Sequence, residues 1–127
     1  MDILIKTVPN EEIKTRKGFT GADWWYDLDG NLQIRVAAEL ADWREAMALA
    51  IHEATEALLC RHNGVTVAQV DAFDAEFKGE HIVDVNAGDD PECPYRLEHT
   101  YATAVERILT GALGVDWRPY DERLSKL

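Results

Sequence analysis

A histidine and two glutamates interrupt an otherwise apolar segment, Ala50–Cys60 (AIHEATEALLC). His52 and Glu56 are four residues apart, so on an α-helix their side chains lie one turn apart on the same face. Imidazole nitrogens and carboxylate oxygens are ligands of zinc, and they also suit iron and manganese. Burying a charged group without a partner costs several kcal/mol. We therefore expect this segment to bind a metal ion or to act in catalysis.

A later segment repeats the combination of a histidine and a glutamate. The three-four spacing that is typical of a buried helix face is found at Tyr95, His99, Ala102, Glu106, Leu109 and Leu113. If this helix faces the first one, His99 and Glu106 approach His52 and Glu56. One divalent cation would then neutralise several buried carboxylates at once.

Other candidate ligands are fewer. Asp74, in the segment VDAFDAEF, is a further candidate carboxylate ligand. His62 and His81 are predicted to be surface residues, the first at a helix end and the second in a loop. Cys60 and Cys93 form no CxxC pair and are predicted to be free thiols without a nucleophilic role.

Strands near the N-terminus and the helices that follow must position these side chains. Alternating apolar and polar residues predict strands at Ile3–Val8 and on both sides of Asp29-Gly30-Asn31, which is typical of a hairpin turn. Helices are predicted at 43–63, between an Asp42 cap and Gly64, at 68–77, and from Pro94 to Leu109 or Leu113. The predicted core face of the first helix is Trp43, Met47, Ala50, Ile51, Ala54 and Leu58.

These elements predict one α+β domain covering residues 1–127. A small N-terminal antiparallel β-hairpin or sheet packs on two long helices and one short helix. Lys78–Pro94, rich in Gly, Asp and Pro, is predicted to be a long loop. The aromatic tail Asp116–Tyr120 is expected to pack back onto the domain.

The composition excludes some classes of function. With 13 Lys and Arg against 24 Asp and Glu, the formal net charge of −11 argues against direct binding of nucleic acid. The acidity favours solubility, and mimicry of DNA on a surface that basic proteins bind is a second interpretation. No apolar run approaches the roughly 20 residues of a membrane span, and the first residues lack the features of a signal peptide. We expect a cytoplasmic protein.

The segment His52-Glu53-x-x-Glu56, following a predicted hairpin, resembles the HExxH helix of the zincin metallopeptidases. The resemblance implies that His52 and Glu56 are metal ligands, that Glu53 is the general base, and that His99 or Asp74 is the distal ligand. It also implies a zinc-dependent hydrolase. Glu56 stands where the family has its second histidine, which admits Mn²⁺ or Fe²⁺ besides Zn²⁺.

Taken whole, the chain also resembles short uncharacterised phage and prophage proteins with a similar HExxE helix and a later helix containing Glu and His. This resemblance implies a phage source and hence the cytoplasm of the host. It leaves two kinds of partner open, an unknown substrate or a host protein that the chain binds and inhibits. In the second case the metal would be structural.

A competing pattern is Glu53-x-x-Glu56 followed by Asp71-x-x-Asp74, which is similar to the paired carboxylate motifs of MazG-like nucleotide pyrophosphohydrolases. That family holds Mg²⁺ against a triphosphate with four carboxylates. Asp replaces Glu in the second motif here. The family is all-helical and gives His52 no role, whereas this sequence predicts strands.

Overall fold

The computed structural model describes residues 1–13, 21–76 and 87–127. Three strands precede four helices: β1 (Ile3–Val8), β2 (Ala22–Tyr26), β3 (Leu32–Ala37), α1 (Trp43–Asn63), α2 (Val67–Glu76), α3 (Arg96–Ala112) and α4 (Trp117–Ser125). Two short 3-10 turns lie at Asn10–Glu12 and Ala87–Asp89. The α+β class is therefore confirmed.

The sheet has the strand order β1-β3-β2. Strands β2 and β3 are antiparallel, as the Asp-Gly turn predicts, and Gly30 in that turn has a φ of 81°. Strand β1 runs parallel to β3, with Ile3 opposite Leu32, so the predicted antiparallel hairpin is part of a mixed sheet. Local turn signals report only neighbouring strands, and this pairing joins segments that are distant in the sequence.

Helix α1 has the predicted ends. The Asp42 side chain accepts a hydrogen bond from the backbone N–H of Arg44, and Gly64 ends the helix in the left-handed conformation at a φ of 75°. The helix packs against β2, β3 and α3. These ends fix which residues of α1 face α3.

The predicted core face of α1 was wrong at three of its positions. Trp43, Met47 and Leu58 are 68%, 42% and 46% exposed. The buried positions are instead Glu45, Ala48, Leu49, Ala50, His52, Glu53, Glu56, Ala57 and Cys60. Because α1 has apolar residues on all sides, periodicity alone does not select the buried face. Small alanines let the backbone approach its neighbours, and the polar row faces inward.

The C-terminal segment forms a helix, α4, where the sequence predicted only a tail that packs back. Pro119 lies in its first turn, where a missing N–H is tolerated. Tyr120 is fully buried, so the expectation of packing is confirmed. Among the residues described, no helix combines the length and apolar character needed to cross a membrane.

Candidate metal centre

Helices α1 and α3 meet along a polar seam inside the protein. His52 and Glu56 come from α1, and His99 comes from α3. They are 6%, 3% and 8% exposed. His52 contacts Glu106 near the end of α3, whereas Glu56 contacts His99 near its start, so the two helices run antiparallel. The structure thus confirms the predicted approach of the two histidine and glutamate pairs.

His52, Glu56 and His99, here called the metal trio, converge on one point. His52 Nε2 lies 3.5 Å from Glu56 Oε2, and His99 Nδ1 lies 3.0 Å from the same oxygen. One ligand atom from each residue lies within 4.8 Å of the other two. Tetrahedral zinc with bonds of about 2.0–2.2 Å holds its donors roughly 3.3–3.5 Å apart. The three residues are therefore close enough together, and of the right chemical types, to hold a metal ion.

The opposite nitrogen of each imidazole faces another carboxylate. His52 Nδ1 lies 2.9 Å from Glu106 Oε1, and His99 Nε2 lies 3.5 Å from Asp89 Oδ1. Histidines that bind metals commonly use the second nitrogen to donate to such an acceptor. If a metal were bound, a proton on each outer nitrogen would leave both inner nitrogens with a lone pair for that metal.

Glu56 is held from the sheet side by β2. The indole N–H of Trp24 donates a hydrogen bond of 3.1 Å to Glu56 Oε1, which leaves Oε2 facing the two histidines. Trp24 also lines a cleft of about 400 Å³ whose other lining residues are Tyr26, Gly30, Arg61, Gly64, Val65, Thr66 and Val67. The carboxylate is therefore oriented by the same side chain that borders the cleft.

Burial and hydrogen bonding act in opposite directions on the titration of the trio. Burial lowers the pKa of His52, but hydrogen bonds to Glu106 and Glu56 outweigh it and raise the pKa well above 6.5. Burial raises the pKa of Glu56, but hydrogen bonds from His52 and His99 outweigh it and lower the pKa from 4.5 to about 2. Without a metal, both shifts favour a protonated His52 beside an ionised Glu56.

Buried carboxylates outnumber buried basic groups in the part of the chain that the structure describes. Seven carboxylates are buried: Asp23, Glu45, Glu53, Glu56, Asp74, Glu98 and Glu106. Only His52 and His99 are buried basic residues there. Arg123, whose side chain is 51% exposed, forms an ion pair with Glu45. A bound cation would reduce this excess of negative charge.

The other candidate residues lie around the trio. Glu53 is 2% exposed, and its charge helps to raise the pKa of His52. Asp74 is buried and accepts a hydrogen bond from the Tyr95 hydroxyl, but it is not part of the trio. Asp71 is exposed, so the pyrophosphohydrolase-like carboxylates do not share one environment. His62 is exposed as predicted.

Two predictions on the loop Lys78–Pro94 fall partly outside the described residues. His81 lies in the range 77–86 that the structure does not describe. Gly88 and Asp89, which are described, contact His99. Cys60 and Cys93 are both buried, and neither forms a disulfide bond. Burial raises the pKa of the Cys93 thiol to about 12, as expected of a thiol without a nucleophilic role.

Sequence reasoning missed the groups that support the trio. Trp24, Asp89 and Tyr120 come from elements that local pattern does not connect to α1. The one available signal was the aromatic tail, which predicted packing but no contact with Glu106. No protein family, curated protein or solved structure matches this chain. Its function is therefore inferred from the chemistry of the metal trio and its surroundings.

Proposed function

We propose that the chain binds one divalent transition-metal ion through His52, Glu56 and His99 and uses it to hydrolyse a substrate. The single observation that carries this proposal is the convergence of His52 Nε2 and His99 Nδ1 on Glu56 Oε2, at 3.5 and 3.0 Å. This arrangement supports the proposal because it places two imidazole nitrogens and one carboxylate oxygen close enough together to bind the same ion.

Zinc is the metal that best suits this set of donors. Two imidazoles and one carboxylate match zinc, with iron and manganese as alternatives, while magnesium prefers oxygen ligands only. A set of three protein ligands would be typical of catalytic zinc sites, which keep one position for water or substrate. A closed shell with a fourth protein ligand, such as Asp74, would instead support the structural metal of a non-enzymatic protein.

Glu53 is the proposed general base. Glu53 follows His52 on α1 and is buried beside it. It therefore lies next to the metal trio without belonging to it. A zinc ion held by the trio would supply the Lewis acidity that lowers the pKa of water toward neutrality. Glu53 would accept the proton of the attacking water, and the hydroxide so formed would add to a carbonyl carbon of the substrate. This is the role that the zincin-like motif implies.

The partner and source stay proposals of lower rank. A substrate with a hydrolysable carbonyl group is the partner that the site supports, and a host protein would be the partner in the non-enzymatic alternative. The cytoplasm, or that of a host if the source is a phage, is the proposed compartment. A nucleotide triphosphate is less well supported as the substrate, because Asp71 is exposed whereas Glu53, Glu56 and Asp74 are buried.

The test compares Glu53→Gln with Glu56→Gln in the purified, untagged protein. We expect Glu56→Gln to lose zinc, whereas Glu53→Gln should retain zinc and lose hydrolysis by about 10²–10⁴-fold. Glu98→Gln is the matched control, since Glu98 is a buried carboxylate that accepts from Asn63 and contacts neither histidine in a hydrogen bond. Zinc content and peptide or ester hydrolysis are the measurements.

Two outcomes contradict the proposal in different ways. Zinc loss from Glu53→Gln equal to that from Glu56→Gln would favour a carboxylate cluster over the trio. Full zinc binding without any hydrolysis over a broad panel of carbonyl substrates would favour the structural metal.

A further inference from the structure

Glu106 connects the metal trio to the C-terminal helix α4. Its Oε1 lies 2.9 Å from His52 Nδ1, and its Oε2 accepts a hydrogen bond of 2.5 Å from the Tyr120 hydroxyl. Glu106 is 3% exposed, His52 is 6% exposed and Tyr120 is fully buried. Both oxygens of the carboxylate are therefore engaged in a space that excludes water.

We propose that Glu106 and Tyr120 are positioning residues that select Nε2 of His52 as its metal-binding atom. The inference rests on the metal binding proposed above. An ionised carboxylate can only accept hydrogen bonds, so its contact with His52 requires the proton on Nδ1. The neutral imidazole then carries its lone pair on Nε2, the nitrogen that faces Glu56.

Tyr120 fixes the carboxylate that makes this selection. Because its hydroxyl donates to Oε2, Glu106 cannot rotate without losing a buried hydrogen bond. Tyr120 is supplied by α4, a helix that contributes none of the three ligands and is also attached to α1 through Arg123 and Glu45. Helix α4 thus reaches the metal trio through the hydrogen bond between Tyr120 and Glu106.

The first test is the zinc affinity of Glu106→Gln and Tyr120→Phe, measured by competition with a chromophoric chelator. Glutamine can turn its NH₂ group toward Nδ1, which favours the wrong tautomer of His52. We expect Glu106→Gln to bind zinc about 10–100-fold more weakly than the wild type, the usual effect of removing such a partner. Tyr120→Phe should weaken binding by a smaller factor. Glu98→Gln, on the same helix as Glu106, should bind zinc like the wild type.

The second test is the nitrogen chemical shifts of ¹⁵N-histidine in the zinc-loaded wild type. We expect His52 to carry a proton on Nδ1 and zinc on Nε2. If Glu106 were merely structural, it would not determine which nitrogen of His52 binds zinc. The measurement needs no variant, so the test stands even if Glu106→Gln does not fold.

The outcomes separate this inference from the proposed function. If the wild type binds no zinc, the proposed function fails and the positioning role fails with it. If the wild type binds zinc but His52 uses Nδ1, or if Glu106→Gln and Tyr120→Phe both bind like Glu98→Gln, only the positioning role is overturned.

Discussion

Gly88→Ala should disrupt the metal trio without touching any ligand. Gly88 lies against the imidazole of His99, and a Cβ added there would lie 2.7 Å or less from three ring atoms. Ordinary van der Waals contact begins at 3.4 Å, so the ring must move by more than half an ångström. Gly88 has no positive φ, and the backbone itself therefore accepts alanine. The expected effect is purely steric.

The size of this movement sets the expected loss of affinity. Metal–ligand distances tolerate deviations of about 0.2 Å, and the ring of His99 would move by more than twice that. We expect zinc affinity to fall by at least the 10–100-fold that loss of an outer partner causes, or about 1.4–2.7 kcal/mol of binding free energy. The matched control is Gly111→Ala on α3, where a Cβ meets nothing within 4 Å.

The assay is a chelator competition on both variants, with circular dichroism to establish that each is folded. Gly111→Ala should bind zinc like the wild type and be slightly more stable, since alanine is the better helix former. If Gly88→Ala is folded and also binds zinc like the wild type, then either the turn yields instead of the ring or His99 is not a ligand. In both cases the steric reasoning is refuted.

Three further predictions concern pH and temperature. Because the pKa of His52 is raised above 6.5, zinc must displace a proton wherever His52 is protonated, and the dissociation constant of zinc should rise as the pH falls. A pH-independent constant in that titration would count against His52 as a ligand. Zinc at a hundred times its dissociation constant should stabilise the fold by about 2.7 kcal/mol, and thermal melts should show a loss of several degrees on chelation that re-addition restores. In the metal-free protein, the raised pKa of His52 adds to the stability of the fold below about pH 6.5. This contribution is lost as the pH rises through the pKa of His52 in the folded protein. The lowered pKa of Glu56 adds to the stability of the fold above about pH 4.5, and this contribution is lost as the pH falls toward 2. Thermal melts in chelator should therefore show the highest melting temperature between about pH 4.5 and pH 6.5.

Local signals in the sequence were sufficient for the elements that carry the site. The Asp42 cap and Gly64 stop set the ends of α1, and the Asp29-Gly30 turn set the β2–β3 pair. The histidines and glutamates at buried helix spacing indicated the seam between α1 and α3. These features depend on residues within one or two turns of each other, which is the range that periodicity and capping report.

Features that depend on tertiary packing could not be predicted. The parallel pairing of β1 with β3 joins separate elements, as does the contact of Tyr120 with Glu106. The exposure of Trp43 depends on which face of α1 the other elements cover. Helix α1 is apolar on several sides, so its buried face depends on what packs against it. The close approach of Gly88 to His99 likewise depends on how a turn lies over α3.

X-ray absorption spectroscopy of the zinc-loaded, untagged protein tests the metal trio most directly. We expect one zinc per chain with two imidazole nitrogens and one carboxylate oxygen at about 2.0–2.2 Å, and one further light-atom ligand. His52→Ala and His99→Ala should each lose an imidazole from this shell or lose the metal. A shell without imidazole, a sulfur ligand, or the same zinc content and the same shell in all three proteins would contradict the trio. His52, Glu56 and His99 would then form a hydrogen-bond network that stabilises the core.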